Sequence, residues 1–220
     1  MFEERKIIMN PIIQPYQYFA IQKQVQYLIN SYHSVNDRET IQTIQAVTME
    51  KIDEIIPEKY PEIEALKTFI LDKSLTRAKT DSYFDTLKEC VISFKQPSNK
   101  QIEKAFRKTK KLKIPAWETL DLREHSYIGW NDPGSQKKFI LYYQEEKLQG
   151  ISGQLSPTIL KNVCSICQKV SNVSMFLATT KTSGDGTYTK KGNYICADSE
   201  QCNHQLHDIS SFYTFINQMK

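Results

Sequence analysis

Four of the five cysteines fall in two close pairs, Cys164-Ser-Ile-Cys167 and Cys196-Ala-Asp-Ser-Glu-Gln-Cys202, with 28 residues between the pairs. Thiolates two residues apart can share one tight turn and reach a metal from the same side, and a second pair closes a tetrahedron around it, which is the donor set of zinc. The competing use, two disulfides or free thiols, needs an oxidising compartment for the bridges. The N-terminus, MFEERKIIMNPIIQPY, opens with charges and lacks a long apolar region or a small-residue cleavage site. It reads as having no export signal, so a cytoplasmic protein with reduced, metal-binding cysteines is expected. Four cysteines saturate tetrahedral zinc and leave no position for water, so one structural Zn2+ is expected, with His204 and His207 at the surface or behind the ligands. HExxH, HxE ahead of CxxC and GxxxxGK[ST] are all absent, and no spacing ties Ser, His and Asp into a triad. The pattern points to a binding protein and not an enzyme.

The elements that must hold these cysteines follow from the flanking residues. Cys164 and Cys167 form a knuckle; residues 174–180 read as a strand, 182–191 as a polar glycine-containing loop and 193–196 as the returning strand. Asp198 or Ser199 can cap a helix whose first turn carries Cys202, where the helix N-terminus favours a thiolate. Knuckle, hairpin and helix on one zinc make a treble clef. Asp208 can cap a last helix with Ile209, Phe212, Tyr213, Ile216 and Met219 on one face. At about 100° per residue Phe215 points a quarter turn away from that face, where an exposed aromatic would suit a partner anchor. Tyr188, Lys190, Lys191 and Tyr194 give the hairpin similar mixed chemistry.

Upstream, the hydrophobic period is helical. Pro15 suits a first turn, and residues 15–32 read as helix; Asn36 with Glu39 resembles a capping box before Ile41, Ile44, Ile52, Ile55 and Ile56; Pro61 starts a third helix; Tyr83, Phe84, Leu87, Cys90, Val91 and Phe94 mark a fourth. Cys90 on that stripe reads as a small buried hydrophobe. A polar break at residues 95–99 divides an N-terminal bundle, residues 1–95, from residues 96–220. Residues 99–113 read as a basic helix rich in lysine, able to meet phosphates or to remain a solvated face. Residues 126–130 and 138–143 read as a hairpin around Asn131-Asp-Pro-Gly134, with a third strand at residues 148–155 and with Trp117 and Trp130 in the core. The fold class is α+β, a helical bundle followed by an α/β domain containing a treble-clef-like four-cysteine zinc finger. No apolar run approaches the ~20 residues that span a bilayer. Residues 1–95 carry 12 Lys or Arg against 14 Asp or Glu and the remainder 17 against 11; the formal charge of +4 falls to +2 once four thiolates hold one zinc. General attraction to nucleic acid is therefore weak, and direct RNA binding through the basic helix is the less favoured alternative.

The runs SYIGWNDPGSQKKFILYY, NVCSICQK, TSGDGTYTKKGNYICADSEQCN and SSFYTFI, preceded by KTKKLKIP, resemble the FusB-type elongation factor G-binding proteins that confer fusidic acid resistance. The resemblance is close over most of residues 97–216 and looser over the helical half. It implies a monomeric two-domain protein that binds the translational GTPase EF-G through its zinc domain. Such a protein promotes release of EF-G from stalled ribosomes, touching the ribosome only indirectly and modifying neither drug nor factor. It implies zinc ligation by Cys164, Cys167, Cys196 and Cys202. Lys191, Tyr194 and Phe215 match EF-G contact positions, and a further apolar contact aligns with Val163, where the family leads one to expect an aromatic. With Lys190, Tyr188 and Phe212 these outline the expected partner surface.

Overall fold

The computed structural model describes residues 10–107, 109, 111–181 and 188–220, with the backbone alone at Thr180, Lys181 and Tyr188. The chain forms two compact units, Met1–Ile92 and Ser93–Lys220.

In the first unit, α1 (Pro15–Ser34), α2 (Arg38–Ile55), α3 (Pro61–Phe69) and α4 (Arg77–Leu87) enclose a core built on Ile21, Val25, Leu28, Ile52, Leu66 and Phe84. Pro15 and Pro61 stand in the first turns of α1 and α3, where a missing amide hydrogen costs nothing. Two tyrosines of α1 reach across the bundle: Tyr18 Oη donates to Phe84 O (3.1 Å) and Tyr32 Oη to Ile70 O (2.6 Å). The cap of α2 is Asp37 and not Asn36; its carboxylate accepts from Thr40 N at 2.6 Å, and a full negative charge suits a helix N-terminus better than an amide does. The fourth helix stops at Leu87, well short of Phe94. A single 3-10 turn follows, Val91 pairs in parallel with Ile13, and Ile92 N donates to Ile13 O (2.8 Å), so the N-terminal segment takes the backbone that the periodicity assigns to helix. Cys90 is buried, and desolvation pushes its thiol up to about 11.

The second unit is an antiparallel sheet with helices at its faces. β1 (Ile128–Asp132), β2 (Lys137–Gln144), β3 (Lys147–Leu155), β5 (Val170–Lys181) and β4 (Leu160–Val163) run in the order β1-β2-β3-β5-β4, and β6 (Tyr188–Cys196) pairs with the other side of β5. β6 begins five residues before the strand read from the sequence, because its pairing with β5 runs unbroken from Lys181↔Tyr188 to Val173↔Cys196. The glycine-containing loop, residues 182–187, lies outside the described residues.

β2 is buried on both faces, and its alternation sorts the unit into two layers. Phe139 and Leu141 face a core with Phe94, Ile102, Phe106 and Ile128, while Tyr142 on the other face meets Phe212 edge-on at 5.5 Å. That second layer is closed by α7 (Ile209–Met219), after the short α6 (Ser199–Gln205).

α5 spans only Asn99–Ala105, so the basic helix of residues 99–113 is cut by half. Phe106 leaves helical geometry (φ −118°, ψ 42°) while its ring packs edge-on against Phe139 and Trp130 at 5.3 and 5.6 Å. Lys111 adopts a left-handed φ of 53°. Burial of one aromatic outweighs the modest helix preference of the lysines around it. Lys100 and Lys104 remain on α5; Lys108 and Lys110 lie outside the described residues, and no continuous basic helix face exists among those described. Trp130 stacks on Phe139 as a core residue should, with its ring N–H donating to Lys113 O at 2.8 Å.

The tip of the Phe106 ring meets Gly150, where an added Cβ would sit 2.6 Å from two ring carbons. Gly150→Ala is expected to displace that ring and destabilise the second unit by about 1–3 kcal/mol, measured as a lower midpoint in denaturant with an unchanged slope.

Candidate zinc centre and hairpin surface

Cys164 and Cys167 lie on a turn between β4 and β5, Cys196 ends β6, and Cys202 lies in the first turn of α6. Backbone bonds fix each. Cys164 N donates to Lys169 O and Gln168 N to Cys164 O (2.9 Å each), closing the knuckle, with Gln168 in the left-handed region at φ 57°. Ser165 N donates to Tyr194 O (2.9 Å), tying the knuckle to β6. Asp198 caps α6 by accepting from Glu200 N and Gln201 N at 2.9 and 3.4 Å.

All four sulfurs are buried and lie within 4.8 Å of one another. Cys164 Sγ is 3.7 Å from Cys202 Sγ, and Cys167 Sγ is 3.8 Å from Cys196 Sγ. Disulfides are excluded at these distances, since S–S bonds are ~2.05 Å. A zinc tetrahedron with Zn–S of ~2.3 Å has edges of about 3.8 Å, so the arrangement fits zinc. The amides of Ile166 and Cys196 each donate to Cys164 Sγ at 3.3 Å. The thiols of Cys167, Cys196 and Cys202 also lean toward Cys164 and hold it well below the ordinary thiol range. The Tyr127 hydroxyl is fully buried without an oxygen or nitrogen partner, and its strongest charged neighbour is Cys202, as expected of a donor aimed at a thiolate. These four cysteines hold a single structural zinc.

The centre is braced from behind. Asn203, next to Cys202, accepts from Ser126 N and Tyr127 N (2.8 and 3.3 Å) and donates to Tyr127 O and Ser199 O (3.1 and 2.9 Å). Nothing in its spacing marked Asn203 in the sequence, because its role depends on a segment 76 residues away. Gly129 lets α6 approach β1; an added Cβ there would lie 2.3 Å from Ser199 Oγ. His204 lies outside the four-sulfur cluster: its Nε2 is 2.7 Å from Glu124 Oε2, joining α6 to the 3-10 turn at Leu122–Glu124. Ser211 Oγ donates to Ile166 O (2.6 Å), joining α7 to the knuckle.

The expected partner residues do not form one surface. Alternation along β6 puts Lys190 and Tyr194 on one face, opposite Thr179 and Met175, and Lys191 on the other, opposite Ala178. Among the described residues the one strand paired with β6 is β5; the knuckle occupies the outer edge at Tyr194 through Ser165 N, and Lys190 and Lys191 flank the stretch of edge with no strand beside it. Tyr188 opens the strand opposite Lys181, but its side chain is outside the described set. Phe212 and Phe215 are not exposed anchors; each is 1% exposed. Phe212 stacks on Tyr127 at 4.9 Å, and Phe215 packs against Phe176 of β5 at 6.0 Å. α7 buries Phe212, Phe215, Ile216 and Met219, in the i, i+3, i+4, i+7 pattern, an arc turned toward Phe215 and away from Tyr213 relative to the stripe expected from the sequence. Val163 and Val170, 47% and 68% exposed, pair across β4 and β5 on either side of the knuckle.

Residues 12–95 match the family described as elongation factor G-binding protein, N-terminal, and residues 100–212 match the FBP C-terminal treble-clef zinc-finger. A solved structure of the fusidic acid resistance protein FusC is 38% identical, with a TM-score of 0.87 over 98% of this chain and 100% of FusC. The chain belongs to the FusB-type family of elongation factor G-binding proteins. No curated protein sequence matches it. The FusB-type assignment covers both units, and the family's descriptions name binding and resistance and no reaction. No helix of the described residues is long and apolar enough to cross a membrane.

Cys196→Ser in this FusB-type chain is expected to lose zinc and the fold of the second unit together. Structural zinc in small domains contributes ~10 kcal/mol or more to folding. Metal analysis with circular dichroism would show both losses, and retention of stoichiometric zinc would contradict the assignment.

Proposed function

We propose that this protein binds elongation factor G through the zinc-containing unit and promotes its release from ribosomes stalled by fusidic acid, giving resistance by protecting the target. The observation that carries this reading is the full-length likeness to FusC across both units. The zinc finger supplies no open metal position for hydrolysis, so its contribution is mechanical: it holds an exposed strand edge and the knuckle beside it in fixed geometry. Lys190 and Tyr194 on one face of β6, with Lys191 on the other and Val163 and Val170 beside the knuckle, offer a positive charge and an aromatic on one side of the strand, a second positive charge on the far side, and an apolar pair. That mixture suits an acidic and apolar protein surface.

Release requires differential affinity. A partner that bound EF-G equally on and off the ribosome would shift nothing, and each ~1.4 kcal/mol of preference for the free form changes the ratio tenfold. Sedimentation of fusidic acid-stalled ribosomes with this protein should move EF-G into the supernatant. EF-G that stays with the ribosomes at saturating protein would overturn the proposal.

Tyr194→Ala and Lys191→Ala are expected to weaken EF-G binding about tenfold or more while leaving the melting temperature of the second unit unchanged. Phe215→Ala should weaken binding only with a loss of stability of about 3 kcal/mol or more, because the ring acts from beneath β5. Calorimetric titration and thermal melts on the same three variants separate contact from support.

A further inference from the structure

Lys138 occupies a position that its strand would otherwise give to a hydrophobe. On β2 it shares a face with Ile140 and Tyr142, both buried, and it is itself 1% exposed. Among the described residues no other lysine or arginine is buried. Removing an ammonium from water costs several kcal/mol unless opposite charge offsets it. Its two hydrogen bonds do not supply that charge, since Lys138 Nζ donates to the neutral acceptors Asn131 Oδ1 (3.1 Å) and Ala197 O (3.0 Å).

The zinc centre does supply it. Four thiolates and one dication leave a net charge of −2 in a buried site. Burial lowers the Lys138 ammonium to about 8, and the negative groups that offset part of that cost are Cys202 and Cys196, followed by Asp198 and Cys164. Lys138 also bonds the carbonyl of Ala197, the residue after Cys196, and Asn131 Nδ2 donates to the same oxygen at 3.0 Å. Ala197 N in turn donates to Asn172 O (3.0 Å), so Ala197 is held through both its amide and its carbonyl.

We propose that Lys138 is the buried counter-charge of the zinc centre: it brings the net charge of the site from −2 to −1 and fixes the backbone joining Cys196 to the helix of Cys202. Loss of the charge makes zinc easier to lose and leaves the thiolates more electron-rich.

The test uses the full chain loaded with zinc, and separately with cobalt. Lys138→Gln keeps a hydrogen-bond donor and removes the charge; Lys138→Arg keeps the charge; Asn131→Asp, at an exposed position, sets a carboxylate against Lys138 and cancels it. Lys138→Gln is expected to speed zinc transfer to a chelator about 10- to 100-fold, the range for residues supporting metal ligands. The thiolate-to-cobalt charge-transfer band should move to longer wavelength. Lys138→Arg should restore both readouts toward the parent, and Asn131→Asp should move both in the direction of Gln. A Gln variant with the parent's release rate and band position would overturn the proposal, as would equal acceleration by Gln and Arg with the band unmoved. If the Gln variant does not fold, Asn131→Asp decides: unchanged release and band position would overturn it.

Discussion

Four buried sulfurs at the corners of one tetrahedron are the constraint on which the second unit depends. They come from a knuckle, a strand end and the first turn of a helix, and the described segments between them bury five apolar side chains, Ile166, Val173, Phe176, Ala178 and Ile195, around the site. The metal ties this small core together, and its cost is a concentration of negative charge away from water. Around that charge the chain arranges amides of Ile166 and Cys196, the hydroxyl of Tyr127 and the ammonium of Lys138. Polar groups that would each be costly in an apolar core become mutually supporting beside the thiolates.

The binding surface proposed for this family member inherits its rigidity from the same centre. Tyr194 gives its carbonyl to the knuckle amide of Ser165, and Cys196 lies two residues beyond it. Below the sheet, Phe215 and Phe212 lock α7 against β5 and Tyr127. Lys190 and Tyr194 lie on the face of β6 away from Phe176 and so stay available to a partner, while Lys191 shares the face that Phe215 packs against and flanks the strand edge. A strand edge held in this way loses little conformational freedom on binding, and on the proposed reading that would leave more of the contact energy for discriminating one state of EF-G from another.

The cysteine spacing made the metal legible from the chain alone, since it reports a local turn and a tetrahedral donor set. The hairpin β1–β2 was equally plain, because Asn131-Asp-Pro-Gly134 specifies its own turn. Long-range competition defeated the periodicity elsewhere. Val91 pairs with Ile13 instead of extending α4, and Phe106 leaves α5 for a place over Gly150. Phe215 is missed by the period of α7 because the arc that the helix buries is set by the sheet it packs on, with Phe215 against Phe176 of β5, and a helical period alone does not say which way that arc is turned. The adjacent lysines 190 and 191 look like one patch in sequence, yet a strand turns them to opposite faces. Lys138 and Asn203 carry no local signal, since each matters only through the ligand segment that folds against it.

The central claim is that zinc shapes the EF-G-binding surface without touching the partner. The most direct measurement is the affinity of the intact chain for purified EF-G before and after zinc is stripped by a chelator, and again after zinc is restored. The account requires binding to disappear with the metal and to return with it, in step with the circular dichroism of the second unit. Unchanged affinity in the zinc-free protein would contradict it.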